Sequence, residues 1–348
     1  MFESTILIPF LALVAVALVF EYTAGYNDSG SIVATMVYTG ALDPGEALIL
    51  AAVFECVGAL FLGSAVALTV ARGIVDALQL DILVIWSALI AAISWNLFAG
   101  RRGIPTSSTH AVIGGIVGSA VVSAGTGCVN WMKIGEVLVA LMLSPFLGIV
   151  FGFLLTKGAS GLFGAQPPNR VRRIFGRFQI ISSAALALAH GTNDAQKTMG
   201  VLTLYLIIMY RRHTDIISFF YNGGGDPYVP LWVRIGCAAA VSLGVLTGGF
   251  RIMKTLGGRI YRVRSIHGFS AQLGSAGVIY TSAIFGFPVS TTQVVSSSIV
   301  GAGTAQRINA VRWDVVGKII STWIVTIPCT ALLGAALYIM LEEIYGLF

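Results

Sequence analysis

Residues 188–200 read Leu-Ala-His-Gly-Thr-Asn-Asp-Ala-Gln-Lys-Thr-Met-Gly, and they lie between two apolar runs, Ile180 to Leu188 and Val201 to Met209. This position predicts that the polar side chains lie at membrane depth. An ionisable residue costs about 2.5–3.5 kcal/mol near the centre of a spanning helix, so such residues are candidates for function. Gly191 next to Asn193 also predicts a helix break that frees backbone groups for a ligand.

The composition indicates a polytopic helical membrane protein. Of 348 residues, 56% are hydrophobic and 10% are charged, and the mean hydropathy is +0.87; a soluble domain has about 25% charged residues. The 41 glycines suit close helix packing. Membrane topology explains most of the net charge of +6, and nucleic acid is not expected as a partner. The four cysteines lack CxxC spacing, which argues against a disulfide framework and a zinc site.

Apolar segments recur along the chain at near-bilayer length. The first runs from Thr5 to Leu42, is interrupted by Asn27-Asp28, and is interpreted as mature structure rather than a cleaved signal. Further spans are predicted near residues 47–70, 82–99, 137–155, 231–250, 269–285 and 315–340.

Two motifs occur twice, which is typical of a duplicated transporter. Asn27-Asp28 recurs as Asn193-Asp194, and the run at 105–109 (Pro-Thr-Ser-Ser-Thr) recurs at 288–292 (Pro-Val-Ser-Thr-Thr). The sequence therefore predicts an all-α fold with a first membrane repeat at 1–157, a basic linker at 158–177 and a second repeat at 178–348.

The charge distribution predicts the orientation of the repeats. The basic linker and the loop with Arg251, Arg259 and Arg264 are both expected to be cytoplasmic. Each half then crosses the membrane an odd number of times, so the repeats are inverted and both termini lie outside. Arg101 and Arg102 fit a cytoplasmic position if the first hairpin crosses fully.

Both Pro-Ser-Thr runs are predicted to start helices, because proline suits the first turn and hydroxyls cap free amides. Such helix starts attract anions, and inversion would aim the two at each other. The alternative is a pair of ordinary helix caps. The candidate residues for a tetrahedral oxyanion are Thr106, Ser107, Ser108, Thr109, Ser290, Thr291, Thr292 and Gln293.

The charge balance suggests cation coupling. Phosphate carries one to two negative charges, Asp28 and Asp194 add two if ionised, and two helix ends supply about one positive charge. Lys197, one turn after Asp194, offsets one more. Bound Na⁺, or protons on the aspartates, would supply the rest, and Asn27 and Asn193 provide hard oxygen ligands.

Further polar residues are candidates for supporting roles. Glu55 is predicted to bind a cation or titrate as a proton site, with a structural carboxyl as the alternative. Gln196 and Gln272 are candidate supporting residues. His110 and His190 have no partner at metal-ligand spacing and are interpreted as packing or capping histidines.

With these motifs, the sequence resembles the inorganic phosphate transporter (PiT) family of sodium- or proton-coupled phosphate permeases. His190 to Gly200 is similar to the family's second signature, and Gly286 to Thr292 to its Gly-x-Pro-Val-Ser-Thr-Thr element. Arg312-Trp313 and Thr326-Ile327-Pro328 resemble C-terminal landmarks. The resemblance implies inverted repeats, re-entrant hairpins meeting at a central phosphate, adjacent cation sites, and a homodimer with a moving transport domain.

The chain departs from the family pattern at Ser31, Gly40, Gln272 and Gln293, which bears on the coupling ion more than on the substrate. We expect a multi-pass protein of the plasma or inner membrane that imports phosphate with Na⁺, with Na⁺ at Asp28 and Asp194 and no resident cofactor. Transport of sulfate or another tetrahedral oxyanion, and H⁺-coupled phosphate or metal-phosphate symport, stay open as alternatives. An enzyme is not expected, since HExxH, GxSxG and Walker motifs are absent.

Overall fold

The computed structural model describes residues 2–76, 80–222 and 228–346, so the outermost residues of both predicted repeats lie outside the described part. Within these ranges the protein is helical, and Val75 and Val129 form an isolated antiparallel bridge. The helices are α1 (Phe2–Thr39), α2 (Pro44–Phe61), α3 (Ala65–Gly73), α4 (Ile82–Arg102), α5 (Ser108–Ala124), α6 (Trp131–Phe163), α7 (Pro168–Arg212), α8 (Thr214–Ile217), α9 (Leu231–Thr247), α10 (Phe250–Lys254), α11 (Ser265–Ile284), α12 (Thr291–Gln306) and α13 (Trp313–Gly346).

Several helices are long and apolar enough to cross a bilayer. Within the described ranges there are five, in α1, α2, α4, α6 and α13, or six if the bent pair α9 and α10 forms one span. Large apolar side chains on their outer faces are exposed, for example Met142 on α6 and Leu332 on α13. Since water would not favour such surfaces, the all-α fold is that of an integral membrane protein, as the composition predicts.

Helices of the first half of the chain pack on helices of the second half. Helix α5 of the first half packs on α13 of the second, and α12 of the second half packs on α6 of the first. In the same way α1 packs on α9, and α7 packs on α2. Corresponding helices thus occupy corresponding environments, as the paired sequence motifs lead one to expect.

Two helical hairpins, α4–α5 and α11–α12, carry the Pro-Ser-Thr runs at their turns. The first helix of each hairpin is followed by a glycine with positive φ, Gly103 at 64° and Gly286 at 73°. Ser107 caps α5 and Ser290 caps α12, each accepting a hydrogen bond from a backbone N–H of the first turn. The predicted helix starts are therefore confirmed. With 17 and 16 residues, α5 and α12 are shorter than the roughly 20 residues of a full crossing.

The helix breaks predicted at the two Asn-Asp motifs are wrong. Helix α1 continues through Asn27-Asp28, and α7 continues through Asn193-Asp194. Gly191 has a different role, because a Cβ there would collide with the backbone carbonyl of Glu55 on α2. The glycine permits close packing of α7 on α2 instead of breaking α7.

A break occurs instead inside the span predicted at 47–70, between α2 and α3. Gly63 has φ of 102° there, and Gln196 of α7 bonds the freed backbone. Its Oε1 accepts from the N–H of Val66 at 2.9 Å and of Ala67 at 3.3 Å, and its Nε2 donates to Gly63 O at 3.0 Å. In the other half, α9 and the helical segment Phe250–Arg259, which begins with α10, meet at a bend of 57°. Gln196 of α7 thus stabilises the break between α2 and α3 by hydrogen-bonding the backbone there.

The basic segment predicted as a linker at 158–177 is largely helical. Helix α6 extends to Phe163, and α7 begins at Pro168, with a turn between them. Proline lacks an N–H and is favoured in the first turn, so Pro167-Pro168 starts α7 rather than extending a loop.

Candidate functional site

The Asn-Asp motifs of the two halves meet in the interior. Asp28 on α1 and His190 and Asp194 on α7 each offer a ligand atom, and these atoms lie within 4.8 Å of one another. All three side chains are buried. Asp28 Oδ2 and Asp194 Oδ2 have no hydrogen-bond partner among the described residues. Because buried carboxylates require compensating positive charge or protons, this cluster is the electrostatic centre of the protein.

The hairpin turns lie against this cluster and against each other. The hydroxyl of Thr292, at the start of α12, donates to Asp28 Oδ1. The hydroxyl of Thr109, at the start of α5, donates to the backbone carbonyl of Val289 at 3.1 Å. Residues from both Pro-Ser-Thr runs are therefore joined in space, and the second run reaches the carboxylates directly.

Several hydroxyls of the predicted cage also have partners within the protein. Ser107 and Ser290 accept hydrogen bonds within their own first helical turns, from His110 N at 3.1 Å and Gln293 N at 3.4 Å. Thr106 accepts from Trp95 Nε1 at 2.8 Å and lies 3.2 Å from Thr326 Oγ1. A capping hydroxyl accepts an N–H and keeps its own proton, so Ser107 and Ser290 can still donate to an anion. Ser108 and Thr291 keep side chains without a hydrogen bond to described residues, and both are buried.

The two asparagines of the motifs attach the long helices to the hairpins. Asn27 Nδ2 donates to Asn96 O on α4 at 2.8 Å, and Asn193 Nδ2 donates to Phe287 O in the α11–α12 turn at 3.1 Å. Asn193 Oδ1 has no partner among the described residues. These amide nitrogens are thus structural, while an amide oxygen stays available as a hard ligand.

Lys197 supplies a fixed positive charge at one carboxylate. Its Nζ donates to Asp194 Oδ1, three residues earlier on α7, and both side chains are buried. At the corresponding place in the first half, three residues after Asp28, stands Ser31, whose hydroxyl bonds the backbone carbonyl of Asp28. The cluster is therefore asymmetric, with a built-in cation beside one aspartate.

His190 is a member of the cluster, which corrects its interpretation as a packing histidine. Its Nδ1 lies 2.8 Å from Glu55 Oε1 on α2, and its Nε2 lies 3.6 Å from Asp194 Oδ2. Glu55, predicted as a coupling residue, thus reaches the cluster through His190. The His190–Asp194 spacing of four residues places both on one helix face and was a usable signal, whereas the contact with α2 requires the tertiary fold.

Glu21 and Thr198 extend the buried polar network, and sequence reasoning missed them. The hydroxyl of Thr198 donates to Glu21 Oε2, and both side chains are buried. Glu21 lies seven residues before Asp28 on α1, and Thr198 lies four after Asp194 on α7. These spacings place them on the same helix faces as the aspartates.

The remaining candidates divide between the hairpins and the periphery. Gln293 Nε2 lies 3.5 Å from His110 Nδ1, which in turn lies 3.2 Å from Trp323 O, so both side chains join the hairpins to α13. Gln272 Oε1 accepts from Ser182 Oγ at 2.8 Å between α11 and α7. Gln272 therefore pairs with a neighbouring helix rather than with the carboxylate cluster.

A cavity of about 300 Å³ opens beside Asn27. Arg101 and Arg251 line it, and the Arg251 guanidinium donates to the backbone carbonyl of Arg101. Arg101, interpreted mainly as a topology signal, thus stands near the α1 motif together with a second guanidinium. The cavity is suited to draw a small anion toward the cluster.

Long apolar helices around a buried cluster of carboxylates, hydroxyls and helix starts define the class of helical membrane transporters. Comparison with known proteins gives the family. The phosphate transporter family model matches residues 24–334, and the chain belongs to this family. It is a transporter rather than an enzyme, as the missing catalytic motifs indicated.

Individual relatives agree with this assignment. A protein of Bacillus subtilis named "Probable low-affinity inorganic phosphate transporter" is 40% identical over 343 residues, covering 98% of this chain and 99% of the relative. One of the same name from Rhizobium meliloti is 39% identical, covering 97% and 98%. A solved structure described as the sodium-dependent phosphate transporter is 24% identical, has a TM-score of 0.84, and covers 98% of this chain and 100% of its own. At that identity it shows the shared fold.

Proposed function

We propose that the protein couples import of inorganic phosphate to Na⁺ by alternating access around the carboxylate cluster. The observation that carries the proposal is the contact of Thr292 with Asp28. It joins the start of α12, which favours an anion, to a carboxylate that favours a cation. A bound phosphate would lower the free-energy cost of burying Na⁺ there, and a bound Na⁺ would lower the cost of burying phosphate. This mutual stabilisation is the physical basis of coupling.

The carboxylate cluster fits a hard cation. Hard cations such as Ca²⁺ take oxygen ligands at about 2.3–2.6 Å, and Na⁺ has a similar radius. Two oxygens up to 4.8 Å apart, as the ligand atoms of Asp28 and Asp194 are, can share one such ion. Asn193 Oδ1 is a further oxygen without a partner. We assign the Na⁺ to Asp28 and Asp194, with Lys197 balancing part of their charge.

The phosphate is assigned to the space where the starts of α5 and α12 meet. Ser108 and Thr291 offer hydroxyls, and the first turns of both helices offer backbone N–H groups. Access runs through the cavity with Arg101 and Arg251. Phosphate is preferred over sulfate because a protonated phosphate oxygen can donate to Asp28 or Asp194, and fully ionised sulfate has no such proton.

The name of the solved relative, a sodium-dependent phosphate transporter, supports Na⁺ as the coupling ion here. The packing of helices of one half on helices of the other supports inverted repeats that rock against each other, with the basic α6–α7 turn cytoplasmic and both termini outside. We further propose a homodimer, as the family resemblance implies.

Proton coupling is the second candidate, and one observation favours it. The chain of Glu55, His190 and Asp194 is of the kind that carries protons in transporters. In that reading, protons on the carboxylates replace Na⁺ as the source of positive charge.

Radiolabelled phosphate uptake into proteoliposomes tests the proposal. The purified protein is given an inward Na⁺ gradient, an inward H⁺ gradient or neither, with excess sulfate as competitor. We expect accumulation with Na⁺ and no competition. Accumulation with the H⁺ gradient alone would replace Na⁺ by H⁺, and full competition by sulfate would refute phosphate selectivity.

A further inference from the structure

A second cavity, of about 860 Å³, lies where the α6–α7 turn meets the segment before α11. We propose that this cavity binds a ligand carrying two or more phosphate groups, separately from the transport site. The two possible sources of such a ligand are an anionic phospholipid headgroup and a soluble oligophosphate. The inference concerns binding and does not rest on the coupling mechanism above.

The charge of the cavity lining is uniformly positive. Four basic side chains contribute, Lys157, Arg172, Arg262 and Arg264, and the lining residues include no Asp or Glu. None of the four forms an ion pair with a carboxylate in the described ranges. Topology alone explains basic residues in a loop, but it does not explain why four of them converge on one concave surface without counter-charges.

Backbone and hydroxyl donors add to these charges. Helix α11 begins at Ser265, its N-cap residue Arg264 provides no side-chain cap, and Ile266 and His267 of the first turn also line the cavity. Ser265 is 8% exposed, and its hydroxyl has no hydrogen-bond partner among the described residues. This hydroxyl is the donor that a phosphate oxygen would use.

The cavity is distant from the carboxylate cluster, although the same helices reach both. Thr39 lines the cavity and lies eleven residues after Asp28 on α1, which is about 16 Å along the axis. Gln306 lines it and lies fourteen residues after Thr292 on α12, about 21 Å away. A ligand bound here would therefore not occupy the transport site, but it would contact helices that form it.

The size and charge of the cavity indicate more than one phosphate group. Its volume falls within the range of about 300–1,000 Å³ typical of ligand cavities and far exceeds the needs of one tetrahedral anion. Four positive charges match two or more phosphates. Basic cavities between membrane helices also bind phosphorylated lipid headgroups, and Leu162, beside the lining residue Phe163, is 80% exposed, as a surface that contacts acyl chains would be.

The test compares two charge-matched double variants of the full-length protein. R172Q/R264Q removes two lining charges, and R173Q/R177Q removes two exposed charges that do not line the cavity. The lipid arm uses nanodiscs of phosphatidylcholine with added diphosphatidylglycerol, and bound lipid is counted by native mass spectrometry. The soluble arm titrates pyrophosphate by calorimetry. Ser265→Ala, which keeps every charge, is the third variant.

We expect R172Q/R264Q to weaken binding at least about tenfold in one arm, and Ser265→Ala about three- to tenfold, with R173Q/R177Q within about twofold of the wild type. The arm that responds identifies the source of the phosphates. Equal losses in both double variants would show general charge attraction and overturn the proposal. So would the absence of binding of both probes to the wild type.

Discussion

Replacing Lys197 by Gln is the sharpest probe of charge balance at the carboxylate cluster. Lys197 Nζ donates to Asp194 Oδ1, and both side chains are at most 3% exposed. Removing one partner of a buried ion pair costs about 3–5 kcal/mol, because the other charge is left uncompensated. If a cation from solution must replace the Lys197 ammonium beside Asp194, uptake at low Na⁺ concentration falls by about 100- to 5,000-fold.

The structure also predicts how the Na⁺ dependence of uptake changes in this variant. Since Lys197 is a tethered cation, its loss adds one cation to the number required, so the Hill coefficient for Na⁺ rises by about one. High Na⁺ then restores part of the uptake. The assay is initial-rate phosphate uptake in proteoliposomes across a range of Na⁺ concentrations.

A matched control exists in the same chain. Lys133 and Glu136 form an ion pair at 2.7 Å with the same three-residue spacing as Asp194 and Lys197, but their side chains are 32% and 48% exposed. Such surface pairs contribute about 0–1 kcal/mol, so Lys133→Gln leaves the Na⁺ dependence unchanged. Wild-type Na⁺ dependence in Lys197→Gln, with an unchanged Hill coefficient, would refute the role of Lys197 as a tethered cation.

Four further variants test the cluster, the packing and the access cavity. Asp28→Asn and Asp194→Asn each abolish Na⁺-driven uptake while membrane insertion, measured by surface labelling, stays normal; normal uptake in either would remove that residue from the cation site. Gly191→Ala lowers thermal stability in detergent by several degrees, because a Cβ there meets the backbone of α2, and an unchanged melting temperature would contradict this packing. Arg251→Gln slows uptake at low phosphate, with a smaller effect at high salt; an equal loss at all salt concentrations would point to a structural role for Arg251 instead.

The hairpins and the paired motifs were predictable because their signals are local. Proline, serine and threonine at a helix start act within one turn, so the starts of α5 and α12 follow from the residues alone. The helix breaks were predicted in the wrong place. A glycine in a helical segment permits either a break of the helix or close packing of a neighbouring helix. Gly191 permits close packing of α7 on α2, and Gly63 lies at the break between α2 and α3.

The sequence by itself determined that the chain is a helical membrane protein, and its recurring motifs predict a duplication. It also predicted that the ionisable residues within the membrane segments have a function, because burying them costs free energy. Periodicity, composition and recurring motifs carry that information along the chain. The tertiary structure decided which groups face each other: His190 with Glu55, Thr198 with Glu21, and Thr292 with Asp28. These partners are between 135 and 264 residues apart, and only the packing of α1, α2, α7 and α12 brings them within hydrogen-bonding distance.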